Sequence, residues 1–248
     1  MCAIFTGNTL IELEQVDSTN NYLSQLAEGE KLADGTVVIA KKQTLGKGQR
    51  GNVWQSEENQ NFTFSIIYFP GNVHLSKQFQ LTQAISLGVY DYLSSICKKV
   101  KIKWPNDLYV SNHKIGGLLI ENSIKGENIA QTIIGVGINM NQKEFNIPNR
   151  KITSLYIENN EKYNLIEELN KLLTSIERRY LQWKSGQFAL LKSNYLEVLY
   201  LHQSWHIYQT NDSQYLDGKI IGINEIGQLL VEDLNGKVHS FGNKEIKF

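Results

Sequence analysis

Cysteine is scarce in this sequence: the 248 residues include only Cys2 and Cys97, and these form no C-x-x-C pair. Such a count argues against a disulfide framework and is typical of proteins in a reducing compartment. Long apolar runs are also missing, since none approaches the ~20 residues that a membrane-spanning helix needs. The first residues lack the basic flank and apolar core of a signal peptide. We therefore expect a cytoplasmic protein.

A net charge is missing as well, because 25 lysines and arginines balance 25 aspartates and glutamates. A near-neutral chain has no overall field that would attract a nucleic acid or a membrane surface. We expect neither as a partner. The apolar content of 41% is ordinary for a globular protein, and this length allows one large domain plus a small one.

The stretch at residues 46–51, GKGQRG, matches the G-x-G-x-x-G fingerprint of dinucleotide-binding folds, but its surroundings do not. That fingerprint follows a strand and opens a helix. Here an apolar strand is predicted at 36–40, and the β-branched and aromatic segment 61–69 predicts another strand after the loop. A loop between two strands argues against a Rossmann site.

The remaining periodicity predicts a mixed α+β domain followed by a small all-β domain. Apolar residues at helical spacing predict helices near 20–27, 77–97 and 165–180. Strands are predicted at 101–104, 108–110, 114–121 and 131–140. Beyond residue 200, five short segments separated by turn dipeptides predict a small β-barrel. We place the two domains at residues 1–199 and 200–248.

The glycine loop carries amide and cationic donors, namely Gln43, Lys47, Gln49 and Arg50. Glycine lets a backbone approach a ligand closely, so this combination suits a carboxylate or a phosphate. The alternative is a solvated connection between strands.

A second candidate is Lys114, which follows the segment KWPND at residues 103–107 and a turn. Strand periodicity places Lys114, Gly116 and Leu118 on one face. Lys114 would then stand beside a position without a side chain, which leaves room for a ligand against its ammonium group. A surface lysine at a hairpin end is the alternative.

A third candidate is the segment at residues 134–141, IGVGINMN, which alternates between apolar and small or amide residues. The apolar face consists of Ile134, Val136, Ile138 and Met140. The opposite face consists of Gly135, Gly137, Asn139 and Asn141. Glycine inside a strand often marks the close approach of a ligand or of another backbone.

Together these segments resemble the biotin protein ligases. The hallmarks of that family are an S-T-N, a G-R-G-R-R-G loop followed by tryptophan, a K-W-P-N-D with a lysine shortly after, and a G-x-G-I-N strand. This sequence has Ser18-Thr19-Asn20, GKGQRG with Trp54, KWPND with Lys114, and GVGIN at 135–139. The motifs occur in family order, the resemblance covers essentially the whole chain, and K-W-P-N-D is the most specific of them.

The resemblance implies a mixed sheet with helices like that of class II aminoacyl-tRNA synthetases, followed by an SH3-like barrel. It also implies a reaction in two steps. ATP and biotin give biotinyl-5′-adenylate and pyrophosphate with Mg²⁺, and the acyl group then passes to one lysine of a biotin carboxyl carrier domain. A homodimer is compatible with the resemblance, although nothing in the sequence sets the oligomeric state.

The resemblance also implies roles for individual residues, with Lys114 as the catalytic cation between the biotin carboxylate and the α-phosphate. The residues expected to bind biotin are Ser18, Thr19, Asn20, Gln43, Lys47, Gly48, Gln49, Lys114, Gly117 and Gly135. Those expected on the adenylate or ATP side are Arg50, Trp54, Asn106, Asp107 and Asn139, with Asp107 near Mg²⁺.

Two departures from the family pattern affect the expectations. Lys47 and Gln49 replace arginines of the family's loop, which lowers its positive charge and removes planar bidentate contacts. Some family members carry an N-terminal DNA-binding domain and act as repressors. Only seventeen residues precede Ser18 here, so we expect no repressor role.

Two other functions compete with biotin ligation. A lipoate–protein ligase or octanoyltransferase would share the catalytic fold, although KWPND and the loop before Trp54 favour biotin. The C-terminal β-module could instead make the protein a nucleic-acid or peptide adaptor. That function predicts basic residues interleaved with aromatics, whereas acidic residues offset the lysines of this module.

Overall fold

In a computed structural model, the protein folds into a seven-stranded mixed sheet, a five-stranded antiparallel sheet and helices that pack on the larger sheet. The structure describes residues 3–145 and 151–248, so Cys2 lies outside the described residues. This architecture confirms the predicted α+β class with a small C-terminal β-module. Among the described residues, no helix is long and apolar enough to cross a membrane.

The large sheet has the strand order β1-β2-β3-β7-β6-β5-β4, and only β1 and β2 pair in parallel. Its strands are β1 (Leu10–Val16), β2 (Thr36–Gln43), β3 (Phe62–Tyr68), β4 (Val100–Lys103), β5 (Asp107–Val110), β6 (His113–Lys125) and β7 (Asn128–Ile138). The helices are α1 (Thr19–Gly29), α2 (Gln78–Ile96), α3 (Leu155–Asn159), α4 (Leu165–Lys184) and α5 (Phe188–Glu197).

One face of the large sheet is apolar and buried. Its alternate residues, such as Phe64 of β3 and Val136 of β7, belong to one core cluster with residues of α2 and α4. Tyr180 of α4 stacks on Tyr68 of β3 with 3.9 Å between ring centroids. The predicted apolar face of β7 is therefore confirmed as core.

The opposite face is only partly covered. Helix α1 buries Leu23 against Val38, Ile67 and Ile133, which form a separate small cluster. Beyond these residues, the same face of β7 continues with Gly135 and Gly137, which offer no side chain to a covering helix. At these two positions, beside the N-terminus of α1, other groups can therefore approach the sheet backbone closely.

The C-terminal sheet has the order β11-β10-β9-β8-β12. Its strands are β8 (Trp205–Thr210), β9 (Tyr215–Ile223), β10 (Leu229–Asp233), β11 (Val238–Phe241) and β12 (Ile246–Lys247). It contacts the large sheet where Trp104 Nε1 donates to Gly227 O at 3.0 Å. Gly227 has φ +89° and lies against the Phe79 ring, so no other residue fits this junction easily.

The predicted secondary structure differs from the fold in several places, and helices α3 and α5, for example, were not predicted. Strand β1 was not predicted, because its residues LIELEQV lie at an edge and alternate only between exposed and half-buried positions. Strand β7 ends at Ile138 rather than at residue 140, because its pairing with β3 ends at Phe62 and Ile138 and the Met140 N–H then bonds to a side chain. Asn139 N donates to Ile115 O at 2.8 Å, and Met140 N donates to Asn61 Oδ1 at 2.9 Å.

Candidate active site

A row of facing residues crosses five strands on the partly covered face of the large sheet. Lys103 faces Asp107, Asp107 faces Gly117, Gly117 faces Gly137, and Gly137 faces Thr63. Directly opposed residues of neighbouring antiparallel strands lie on the same side of a sheet. The two central positions have no side chain, so the row forms a floor with charged side chains at one end. We call it the glycine floor.

Lys114 lies over this glycine floor. Its Nζ is 2.6 Å from Asp107 Oδ1, and both side chains remain about one-third exposed, at 29% and 31%. A Cβ at Gly117 would stand 3.3 Å from Lys114 Nζ and 3.0 Å from Asp107 Oδ1. Gly117 therefore leaves the space that the ion pair needs, and the ammonium group stays accessible to an anionic ligand.

The predicted position of Lys114 beside Gly116 is wrong, because a β-bulge interrupts the pairing of β5 with β6. The register shifts between Leu108, which faces Gly116, and Tyr109, which faces Lys114. One extra residue on β6 moves its side chains relative to a regular strand. Gly116 instead lies against Gly137 O, and the bare position under Lys114 is Gly117.

Lys103 supplies a second cation at the end of the row. Burial lowers the pKa of its ammonium group; nearby Asp107 opposes this shift and Lys114 adds to it. The ammonium lies 5.0 Å from the Tyr109 ring centroid and 4.6 Å from that of Phe248. Cation–π contacts of this kind hold a partly desolvated ammonium in place.

A neutral polar cluster lies at the N-terminus of α1. Thr19 donates to Gln43 Oε1 through its backbone N–H at 2.8 Å and its hydroxyl at 3.0 Å. Ser65 Oγ lies 2.7 Å from Thr19 Oγ1 and 2.6 Å from Asn20 Oδ1, and its single proton can serve only one of them at a time. Ser18 is the buried N-cap residue of this helix. These side chains offer both donors and acceptors without a formal charge.

The bare position at Gly135 accommodates Asn20. The carboxamide oxygen of Asn20 occupies the space that a Cβ on Gly135 would need, and its Nδ2 donates to Glu121 Oε2 at 2.6 Å. Ser65 faces Gly135 across the sheet. Since Gly135 and Gly137 are two residues apart on one strand, the polar cluster and the glycine floor are about 7 Å apart on one face.

Trp54 covers the other bare position of β7. Its indole lies where a Cβ on Gly137 would stand, and its ring centroid is 5.9 Å from Lys114 Nζ. The indole Nε1 is buried and has no hydrogen-bond partner among the described residues. Gly135 and Gly137 were predicted to mark the close approach of a ligand or of another backbone. The groups that approach them in the structure are two side chains of this protein, Asn20 and Trp54.

The glycine loop folds as a short connection between β2 and β3, which confirms the prediction that it is not a Rossmann turn. Lys47 pairs with Val53 in an isolated bridge, and Gly48 N donates to Asn52 O at 2.7 Å. Lys47 Nζ donates to Asn21 Oδ1 on α1. The side chain of Arg50 lies outside the described part of the structure.

Asn106 and Asn139 lie at the border of the site, and their side-chain amides donate hydrogen bonds to backbone carbonyl groups. They are 3% and 2% exposed. Asn106 Nδ2 donates to Leu118 O, and Asn139 Nδ2 donates to Thr153 O at 2.9 Å. These bonds attach the KWPND turn and the end of β7 to neighbouring backbone. Their placement on an ATP side stays a prediction.

No preformed metal cage occurs in residues 3–145 and 151–248, since no group of three or more His, Cys, Asp or Glu side chains could hold an ion there. Mg²⁺ is commonly bound through one or two carboxylates together with substrate phosphates. The carboxylate of Asp107 fits that mode, because its side chain is 31% exposed at the charged end of the glycine floor and only Oδ1 is in the ion pair with Lys114.

Comparison with known proteins gives the same assignment as the motifs. The sequence profile of the biotin/lipoate A/B protein ligase family matches residues 12–139. The bifunctional ligase/repressor BirA of Bacillus spizizenii is 31% identical over 243 residues, covering 94% of this chain and 73% of that protein. The chain belongs to the biotin/lipoate A/B protein ligase family.

Solved structures of this family support the same relationship. The biotin protein ligase of Aquifex aeolicus in complex with biotin and ATP matches with a TM-score of 0.78 and 28% identity, covering 97% of this chain and 98% of that chain. The biotin–[acetyl-CoA-carboxylase] ligase of Paracoccus denitrificans is 33% identical over 131 residues, which cover 52% of this chain and 53% of that protein. These findings confirm the resemblance to biotin protein ligases.

Sequence reasoning missed three side chains of this candidate site: Ser65, Glu121 and Lys103. The sequence contained an indication for Ser65, since Thr63 and Ser65 are polar at alternate positions of an otherwise apolar strand. Lys103 belongs to the KWPND segment but was given no role. Nothing local marks Glu121, which is exposed and recognisable only through its contact with Asn20.

Proposed function

We propose that the chain is an ATP-dependent biotin protein ligase that forms biotinyl-5′-adenylate and transfers the biotinyl group to a lysine of a carrier domain. One observation carries the proposal: the neutral polar cluster and the Lys114 ammonium lie on one face of the sheet, above glycines. A ligand with a neutral polar head and a carboxylate at the far end of an apolar chain matches that order.

The first step joins two anions. A carboxylate oxygen of biotin attacks the α-phosphorus of ATP, the bond to the bridging oxygen breaks, and pyrophosphate leaves. Lys114 faces the space where the two negative charges meet, and a fixed cation there stabilises the developing charge. Mg²⁺, when bound through Asp107 and the phosphates, supplies further charge neutralisation.

The biotin head group is a ureido ring that needs paired donors and acceptors. We assign its recognition to Ser18, Thr19, Asn20 and Gln43, and we add Ser65 because it holds Thr19 and Asn20. Gly117 and Gly135 have no side chains and so let biotin approach the backbone of the sheet. Lys47, Gly48 and Gln49 belong to the loop beside the pocket.

The nucleotide is assigned to the opposite end of the site. Trp54 provides an apolar cover beside Lys114, and Arg50 belongs to the loop that would close over the adenylate. Asp107, Asn106 and Asn139 border the ATP side. An acyl-adenylate hydrolyses readily in water, so a loop that excludes water protects the intermediate.

The second step is acyl transfer to a protein. The ε-amine of the acceptor lysine attacks the acyl carbon, an amide bond forms, and AMP leaves. We propose a biotin carboxyl carrier domain as the acceptor, residues 1–199 as the catalytic domain and residues 200–248 as the C-terminal domain. A cytoplasmic location stays a prediction and agrees with ATP as a substrate.

The same family includes lipoate ligases, and the polar cluster separates the two substrates physically. An octanoyl or lipoyl chain has no ureido group. It could exchange no hydrogen bonds with Thr19, Asn20 and Gln43, so it would gain none of the ~0.5–1.5 kcal/mol that one hydrogen bond commonly contributes. The similarity to the biotin ligases of Paracoccus denitrificans and Aquifex aeolicus favours the same choice.

Transfer to carrier domains tests this proposal. The full chain is incubated with Mg-ATP and biotin together with a biotin carboxyl carrier domain, and separately with lipoate and a lipoyl domain. Intact-mass spectrometry should show one added biotinyl group on the first carrier and no change when its acceptor lysine is replaced by arginine. Modification of the lipoyl domain alone would keep the fold and overturn the substrate.

A further inference from the structure

The tip of the glycine loop touches the C-terminal sheet. Gln49 Oε1 accepts a hydrogen bond of 2.7 Å from Asn243 Nδ2, between residues 194 positions apart in the chain. Both side chains are half-buried at this contact. Gln49, which replaces an arginine of the family's loop, thus contacts the C-terminal sheet of the same chain.

The turn that carries Asn243 is fixed by its own hydrogen bonds. Gly242 N donates to Glu245 Oε2 at 2.6 Å, and Glu245 N donates to Gly242 O at 3.0 Å. Asn211 N donates to Glu245 O at 3.2 Å and attaches the turn to the end of β8. These hydrogen bonds hold the turn that carries Asn243 against the end of β8.

The C-terminal sheet is itself attached close to the reacting groups. The bond from Trp104 Nε1 to Gly227 O joins it to the KWPND segment, three residues before Asp107. The Phe248 ring lies over Lys103 Nζ at 4.6 Å. The sheet thus reaches from the Asp107 end of the site to the tip of the glycine loop.

We infer that Asn243 is a positioning residue that holds the glycine loop over the site through Gln49. The effect that we expect on the affinity for biotin rests on the proposed function. The loop contains three glycines, and Gly51 has φ +80°, so ordering it on ligand binding costs conformational entropy. A contact that already holds the tip lowers that cost and so increases affinity for biotin.

The test combines two measurements on the full chain. Amide hydrogen exchange of residues 46–53 reports on the loop without ligand. Biotin-dependent pyrophosphate release reports KM for biotin and kcat separately. The variants are Asn243→Ala, Gln49→Ala, their double variant and Asn243→Asp, with Asn235→Ala in another turn of the same sheet as the matched control.

Loss of one hydrogen bond commonly changes an equilibrium about fivefold. We expect Asn243→Ala and Gln49→Ala each to speed loop exchange and raise KM for biotin by roughly 3- to 10-fold. The double variant should add little more, since both remove one interaction. Asn243→Asp should restore both values, because the Gln49 carboxamide can turn and donate to a carboxylate. The kcat of Asn243→Ala should stay within about twofold of wild type.

The inference fails if Asn243→Ala behaves like Asn235→Ala in loop exchange, or if exchange changes while KM for biotin does not. It also fails if the two single effects add fully. An inactive wild-type protein would overturn the proposed function instead, and the exchange data would still decide whether Asn243 holds the loop.

Discussion

Lys114→Ala should lower the rate of biotin adenylation by about 10²–10³-fold, the usual loss when one positioned charge donor is removed. The reason is geometric: Lys114 Nζ lies over Gly117 with no side chain beneath it, and it is 2.6 Å from Asp107 Oδ1. The substitution also leaves the Asp107 carboxylate unpaired, which repels both anionic substrates. Single-turnover formation of biotinyl-adenylate measures the chemical step directly.

The matched control is Lys125→Ala, which removes an exposed lysine at the other end of the same strand. This control should adenylate biotin at the wild-type rate. Lys114→Arg should recover only part of the activity, because a planar guanidinium cannot occupy the same point above Gly117. Full activity in Lys114→Ala would show that Lys114 is not the catalytic cation.

Gly135→Ala should weaken the affinity for biotin by about 10–100-fold, corresponding to one or two lost hydrogen bonds in a partly buried site. The added methyl group would occupy the space of the Asn20 carboxamide oxygen. Asn20 would have to move, and its bonds to Ser65 and Glu121 would break. Calorimetric titration with biotin measures the affinity without turnover.

Gly222→Ala is the control, because a Cβ at Gly222 meets nothing within 4 Å. It tests whether adding a methyl group to a strand glycine alters biotin binding by itself. Asn20→Ala should reproduce the loss seen in Gly135→Ala, and the double variant should be no worse than either. Unchanged biotin affinity in Gly135→Ala would remove Asn20 from the biotin pocket.

The parts of the fold that the sequence predicted are those with strong periodicity. Helix α4 buries one apolar face and so shows clear helical periodicity, and strand β3 is buried along its whole length and so is rich in β-branched and aromatic residues. Strand β1 pairs only with β2 and lies at an edge, so none of its residues is fully buried and its apolar pattern is weak. The bulge between β5 and β6 depends on how the two strands pair, which the sequence of one strand does not show. Strand periodicity alone therefore placed Lys114 beside Gly116 rather than Gly117.

The candidate site was predictable in its motifs and less so in its contacts. Short motifs identified Lys114, Asp107, Trp54 and the glycines, because these residue types have few other reasons to occur together. The contacts of Ser65 with Asn20 and of Asn243 with Gln49 join distant parts of the chain. They depend on how sheets and helices pack, and no local pattern in the sequence encodes them.

The most direct test of biotin activation at this site is pyrophosphate release from Mg-ATP without any carrier, measured with biotin, with lipoate and with octanoate. Adenylation needs only the acid and ATP. The assay therefore tests the polar cluster and Lys114 at the same time, without any contribution from the carrier protein. We expect a burst of pyrophosphate with biotin alone. A burst with lipoate or octanoate in place of biotin, or no release with any of the three acids, would contradict the account.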